Sequence, residues 1–221
     1  MKLKLFSIPI ACVAAVAAVC IFHPGKAYAE PRFAGMSPSP LADKVTYSVD
    51  PMHMGLYFEI THLGLSKVQG RLNKVTGKIY EDSKDLTKSS VEISAETASI
   101  DTGVQPRDEH LQQAEYFDSK KFPNLTFKST KIVKKGKGYV AIGNLTIKGV
   151  TKQISLPFQH FGPYEMKGFG DQPVRIGVIC DPITIKRTDF GVGTNQKLPD
   201  GTEGASDAVV IRISLEGTRD R

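Results

Sequence analysis

Outside its first 29 residues the chain carries four histidines, His53, His62, His110 and His160, and one cysteine, Cys180. Histidines share a metal or a proton only when their spacing brings both rings to one face. None of the HxH, HxxxH or Cys/His spacings that achieve this occurs here, so no metal site is expected. His53 and His62 are nine residues apart and would face opposite sides of one continuous strand. Cys180 lies in the apolar run 176–180 and has no neighbour that would stabilise a thiolate, so it reads as a buried thiol rather than a nucleophile. A Gly-x-Ser-x-Gly elbow, a GxGxxG turn and a phosphate-binding P-loop are all missing from the sequence. The residues that remain for acid–base or anion chemistry are His53, Asp108, His110 and Arg187. Each also has a purely structural role open to it. Arg107, Asp108 and His110 would anchor a helix, and Arg187 would pair with Asp189.

Those residues sit in a chain whose start reads as an export signal. Lys2 and Lys4 precede an apolar run over residues 5–22, followed by Ala27-Tyr28-Ala29, a small-x-small cleavage site. Cleavage after Ala29 makes residues 1–29 a signal peptide and implies export of the mature chain. Residues 30–43, with Pro31, Pro38 and Pro40, read as a flexible leader. The formal charge of +6 falls to +3 once Lys2, Lys4 and Lys26 leave, which is too small to imply nucleic-acid binding. Cys12 and Cys20 leave as well, so no internal disulfide is available to the mature chain.

From about residue 44 to 217 the pattern is one strand after another. Val45, Tyr47 and Val49 alternate with polar residues before Asp50-Pro51, which is expected to end the strand. Leu56, Phe58 and Ile60 share a face. So do Val91, Ile93 and Ala95, then Leu125 and Phe127, then Ile154, Leu156 and Phe158, and finally Val209, Ile211, Ile213 and Leu215. Residues 66–79 and 175–185 read as further strands, and 81–89 as a polar turn. Two glycine-bearing loops are expected at 161–173 and 191–207. One segment, near 106–118, has helix formers with Pro106 at its start and reads as a short helix across one end. Eight or more strands joined mainly by turns make the protein all-β and antiparallel, because parallel strands need long crossovers. A barrel and a sandwich both fit, and strands of roughly 10–14 residues favour a tall barrel. Small residues at presumed inward positions, Ala95, Ser129, Gly143 and Gly177, would leave the interior hollow. Phe58, Phe127 and Phe158 would supply apolar wall; the alternative for each glycine is a local bulge.

The order of short motifs goes further. The chain contains Tyr47-x-Val49-Asp50-x-x-His53, then Phe58-x-Ile60-x-His62-Leu63-Gly64. Next come Arg107-Asp108-x-His110-Leu111 with Tyr116-Phe117-Asp118, Phe127-Lys128-Ser129, and Arg187-x-Asp189-Phe190-Gly191. In these motifs it resembles the YceI-like proteins, over about residues 45–216. Two positions depart from that family's usual pattern: Met54 follows the first histidine, and Val178 and Cys180 stand where an aromatic is common. Both would reshape the lumen.

The resemblance implies an extended, lipocalin-like, eight-stranded antiparallel β-barrel. It also implies a periplasmic binding or carrier protein that sequesters a polyisoprenoid or related amphiphilic lipid, such as an isoprenoid quinone or a prenyl phosphate, with no other cofactor. Candidate ligand-contacting residues are then the apolar Phe58, Ile60, Phe117, Phe127, Phe158, Ile176 and Phe190, and the polar His53, His62, Arg107, His110 and Arg187. Arg187 is expected at a rim, holding an anionic headgroup. Transient contact with a membrane surface or membrane protein is expected, and monomer and homodimer stay open. The alternatives are an enzyme acting on a sequestered lipid through His53, Asp108, His110 and Arg187, and a structural partner in a stress response.

Overall fold

The computed structural model describes residues 37–38, 44–166, 168 and 172–221. The expected signal peptide lies outside the described residues. So does the expected leader apart from Ser37–Pro38, which pairs with Glu165 and Tyr164.

Eight strands run up and down around a closed barrel. β1 is Lys44–His62. β2 has two segments, Ser66–Leu72 and Val75–Asp82, both paired along β1. β3 likewise has two, Ser90–Glu96 and Ile100–Asp101, paired along β2. β4 is Asn124–Lys135, β5 Gly138–Ile147 and β6 Val150–Glu165. β7 consists of Arg175–Cys180 and Ile183–Lys186, and β8 is Ala205–Arg219. Every neighbouring pair is antiparallel, and β8 closes onto β1 from Ala205↔His62 to Arg219↔Tyr47.

The inward–outward alternation drives this architecture, and bulges explain where it slips. On β4 the buried residues Phe127 and Ser129 have one parity and buried Ile132 the other. The register shift between Ser129 and Lys131 supplies the extra residue that turns Ile132 back inward. The Asp50-Pro51 pair does not end β1, contrary to the sequence expectation. Opposite β8, Val49 pairs with Gly217 and Met54 with Leu215, so residues 50–53 form a bulge. A proline is tolerated there because no ladder bond is needed.

Other boundaries also move. β2 extends to Asp82 and breaks at Asn73-Lys74, and the 175–185 strand breaks at Asp181-Pro182. β6 runs on to Glu165, well into the expected loop, and β8 begins at Ala205. The regular helix, α1, covers only Gln105–Leu111, with Pro106 in its first turn. Beyond it the chain turns back, with Phe117 N–H donating to Leu111 O and Asp118 at φ 49°.

The two ends of the barrel differ. One carries the β1–β2 turn, α1 and its following turns, the β5–β6 turn at Lys148-Gly149, a 3-10 turn at Arg187–Phe190, and residues 191–204. The other carries the short β2–β3 connection, the Gly136-Lys137 hairpin and the β6–β7 connection. Near this second end Val45, Tyr47, Val49, Ile79, Ile176 and Leu215 pack into a buried cluster that fills the barrel.

Candidate functional site

Between the filled end and the helix end lies a cavity of about 850 Å³, near the top of the range for small-molecule sites. Inward positions of all eight strands form its wall, among them Leu56, Phe58, Ile93, Phe127, Leu156 and Ile213. Exposed polar lining residues, His62, His110, Glu115, Thr194 and Gln196, lie at the helix end, whereas Glu81 and Ser89 at the opposite end are buried. The mouth is therefore under the helix, and the far end is closed.

Hollowness does not come from the small residues. Ala95, Ser129, Gly143 and Gly177 do not line the cavity. Gly143 has no side chain because the Phe127 ring lies against it; a Cβ there would come within 2.6 Å of that ring. Ser129 Oγ accepts the Val91 N–H at 2.9 Å, next to the β4 bulge, and the β6–β7 register shifts beside Gly177. At Gly177 the irregularity is a bulge, as the alternative for the glycines holds, and Ser129 borders a second bulge.

Ten of the twelve residues singled out from sequence line the cavity. Phe58, Ile60, Phe117, Phe127, Phe158 and Phe190 contribute apolar wall, and His62, Arg107, His110 and Arg187 stand on the mouth side. The two departures from the family pattern, Met54 and the Val178/Cys180 pair, line it as well. Ile176 does not, being 1% exposed in the cluster that fills the closed end. His53 does not either. It lies in the β1 bulge, half exposed, with Nδ1 3.0 Å from Asp50 Oδ2.

Asp50, His53 and Glu216 hold three ligand-type atoms within 4.8 Å of one another. Arg175 Nη1 already donates to Asp50 Oδ2 at 2.7 Å and to Glu216 Oε2 at 2.9 Å, so a guanidinium supplies the positive charge there. Burial alone would raise the Asp50 carboxyl. Hydrogen bonds from His53, the Met52 N–H and Arg175 outweigh it and hold the group at about 2.

Arg187 is placed otherwise than expected. It is 8% exposed and strapped to the backbone: Nε donates to Ser206 O, Nη1 to Val192 O, and Nη2 to Thr194 O and Ala205 O, at 2.9–3.0 Å. Gly193, at φ +65°, lets Nη1 and the Tyr116 ring approach; a Cβ there would meet them at 2.8 and 2.9 Å. The expected pairing with Asp189 does not form, because the Asp189 carboxylate faces Lys152 at 3.4 Å. Four of the five guanidinium N–H groups hold the 191–204 loop shut, which leaves little donor capacity for a headgroup.

Arg107 is similarly engaged with Thr102, whose N–H and hydroxyl also reach Asp108. His110 Nε2 is 3.0 Å from Glu115 Oε1, and its ring meets Tyr116 edge-on at 4.9 Å. The set His53, Asp108, His110 and Arg187 is not assembled, since His53 is in the β1 bulge outside the cavity and the other three are at the helix end. Cys180 faces the cavity, but burial, then Asp181, pushes its thiol up to about 12, so it is not a ready nucleophile.

A polar pair inside the barrel is not evident from residue type. Glu81, expected in the polar turn 81–89, is a β2 residue only 2% exposed. His160 on β6 faces it, Nε2 to Oε2 at 2.9 Å, with side chains 11% and 3% exposed. Both line the cavity. The signal was present in the strand parity. Glu81 follows Ile79 by two, and His160 continues the inward series Ile154, Leu156, Phe158.

Comparison with known proteins agrees with the geometry. The model of the YceI-like domain matches residues 47–217. A UPF0312 protein of Serratia proteamaculans is 35% identical over 178 residues, covering 78% of this chain and 86% of the relative. The crystal structure of Burkholderia cenocepacia BcnA superposes with a TM-score of 0.65 at 23% identity, covering 77% of this chain and 99% of BcnA. A polyisoprenoid binding domain from Saccharophagus degradans, implicated in plant cell wall breakdown, gives a TM-score of 0.55 at 16% identity, covering 80% and 99%.

Proposed function

The chain belongs to the YceI-like family, and on that premise we propose that it is a periplasmic carrier that sequesters a long-chain polyisoprenoid or related amphiphilic lipid in its lumen. The observation that carries the reading is the cavity, about 850 Å³, apolar along its wall and closed at one end. An extended tail gains roughly 0.8 kcal/mol for each CH₂ it buries, so a long chain offsets the cost of ordering itself. The fold is shared with the Saccharophagus polyisoprenoid binding domain, which supports the same class of ligand.

The mouth also fits a carrier that takes its ligand from a bilayer. Leu65, Val104 and Leu198 are 84%, 45% and 44% exposed, and all lie on the loops of the helix end. Apolar side chains ringing the opening of an apolar lumen would enter a membrane surface and shorten the path of the tail through water.

The test is solvent extraction of protein purified from lipid-rich cells, followed by mass spectrometry and by calorimetry with prenyl lipids. A bound prenyl lipid in stoichiometric amount is expected. Empty protein that also fails to bind prenyl alcohols, quinones or phosphates overturns the reading. Protein recovered from the periplasmic fraction should begin at Glu30, and a mature chain retaining Met1 would contradict the export reading.

A further inference from the structure

β2 and β6 stand on opposite sides of the eight-strand circuit. The Glu81–His160 hydrogen bond, at 2.9 Å, therefore bridges the lumen rather than joining neighbouring strands. It does so deep in the barrel, beside the cluster that fills the closed end, where Ile79 belongs to that cluster and Glu81 lies two residues further along the same face. A carboxylate is rarely buried in such surroundings unless it is paired. Here its partner is an imidazole, and no lysine or arginine joins the cavity wall at this end.

The chemistry of the bridge is specific. An ionised Glu81 accepts only, so His160 Nε2 carries the proton between them. In the neutral ring Nδ1 is then an acceptor, and among the described residues it has no hydrogen-bond partner. If the ring is doubly protonated, Nδ1 becomes a donor instead. A second polar group nearby is also unserved: the Tyr47 hydroxyl, in the adjacent packed layer, is wholly buried without a partner. Both states of His160 suit an uncharged oxygen, a hydroxyl for the first and a carbonyl for the second. Neither suits a phosphate: with a neutral ring only the Glu81 carboxylate is charged, and with a doubly protonated ring that carboxylate already balances the imidazolium, so no cation is left for the phosphate.

We infer that the Glu81–His160 bridge is a head-recognition site at the floor of the lumen, taking an uncharged oxygen-bearing head, an alcohol, phenol or quinone, and seating the lipid head first. This rests on the lipid-carrier reading and selects within it. It also moves the head away from the mouth, where Arg187 is occupied.

The test uses three ligands of equal chain length, a polyprenol, its monophosphate and a hydrocarbon without oxygen, titrated into the mature protein. The alcohol should bind about tenfold or more tightly than either of the others. The double variant Glu81→Leu/His160→Phe removes both polar groups, so neither is left unpaired. In that variant the alcohol should bind no more tightly than the hydrocarbon, so the tenfold preference is lost. Circular dichroism confirms that the variant is folded.

Wild-type protein labelled with ¹⁵N-histidine gives a readout that needs no variant. The His160 ring nitrogens should shift on adding the alcohol and stay fixed on adding the hydrocarbon. Equal affinities, a tighter phosphate, or a His160 signal that the alcohol does not move overturns the inference and leaves the carrier reading standing. Failure of all three ligands to bind overturns the carrier reading itself.

Discussion

Replacing Arg187 with alanine separates a strap from a headgroup contact. The side chain is 8% exposed and donates four hydrogen bonds to the carbonyls of Val192, Thr194, Ala205 and Ser206. Each such bond is worth about 1 kcal/mol net once the cost of burying the guanidinium is included, and the variant leaves four carbonyls without this donor. Arg187→Ala should therefore cost about 4 kcal/mol. At roughly 2–4 °C per kcal/mol for a domain of this size, the melting temperature should fall by about 10 °C. Arg187→Lys should recover little, because an ammonium has three donors on one atom and cannot fork across four acceptors. Urea unfolding followed by circular dichroism gives the stability. Titration with a prenyl phosphate and a prenyl alcohol of equal length gives the ligand effect, which should be the same for both. An Arg187→Ala protein as stable as wild type that loses only the phosphate would refute the strap and restore the headgroup role.

Three further outcomes follow from the same geometry. Ala141 is 4% exposed and faces the lumen midway along β5, so Ala141→Phe should fill the cavity, weaken lipid binding by about tenfold or more in calorimetry, and leave thermal stability within about 1 kcal/mol of wild type. Asp50 has its carboxyl lowered from 3.8 to about 2, so its contribution is complete above the unfolded value and is lost as pH falls through the folded one. Allowing for solvent screening, the difference between wild type and Asp50→Asn in denaturant unfolding should be about 1 kcal/mol at pH 6 and vanish near pH 2. Leu65→Asp combined with Leu198→Asp should reduce sedimentation with lipid vesicles several-fold and leave affinity for a detergent-delivered lipid unchanged, since neither residue lines the cavity.

Strand alternation made the barrel legible. Parity placed Phe58, Ile60, Phe127 and Phe158 on the lumen side, and all four line the cavity. Parity broke at bulges, which sequence does not mark. Nothing in Asp50-Pro51 distinguishes a strand end from a bulge inside a 19-residue strand, and that decided the fate of His53. The strapping of Arg187 is hidden from sequence for a different reason. A rim position and a guanidinium are visible in sequence, but four carbonyl partners spread over residues 192–206 exist only after the loop folds back. Glu81 and His160 are hard to place from residue type, because polarity suggests surface, although both continue apolar series in steps of two. In a closed barrel, parity outranks polarity, since an inward position stays inward whatever residue occupies it.

The distribution of satisfied and unsatisfied groups along the lumen sets the direction in which a ligand is pulled. At the mouth Arg187 is held by carbonyls, Arg107 by Thr102 and His110 by Glu115, while exposed His62 has water available. A headgroup arriving there displaces bonds already made and gains little. At the floor the Tyr47 hydroxyl has no partner, and burial, then the Glu81 carboxylate, pushes its phenol up, so it stays protonated and able to donate. On the cavity wall, His160 Nδ1 has no hydrogen-bond partner among the described residues. An uncharged oxygen moving from mouth to floor exchanges water for the open His160 ring nitrogen, while the tail behind it fills the apolar wall. A charged head would instead lose its hydration beside a carboxylate, at a cost that an extra hydrogen bond of about 1 kcal/mol does not offset. The same barrel can thus admit both by their tails and sort them by their heads.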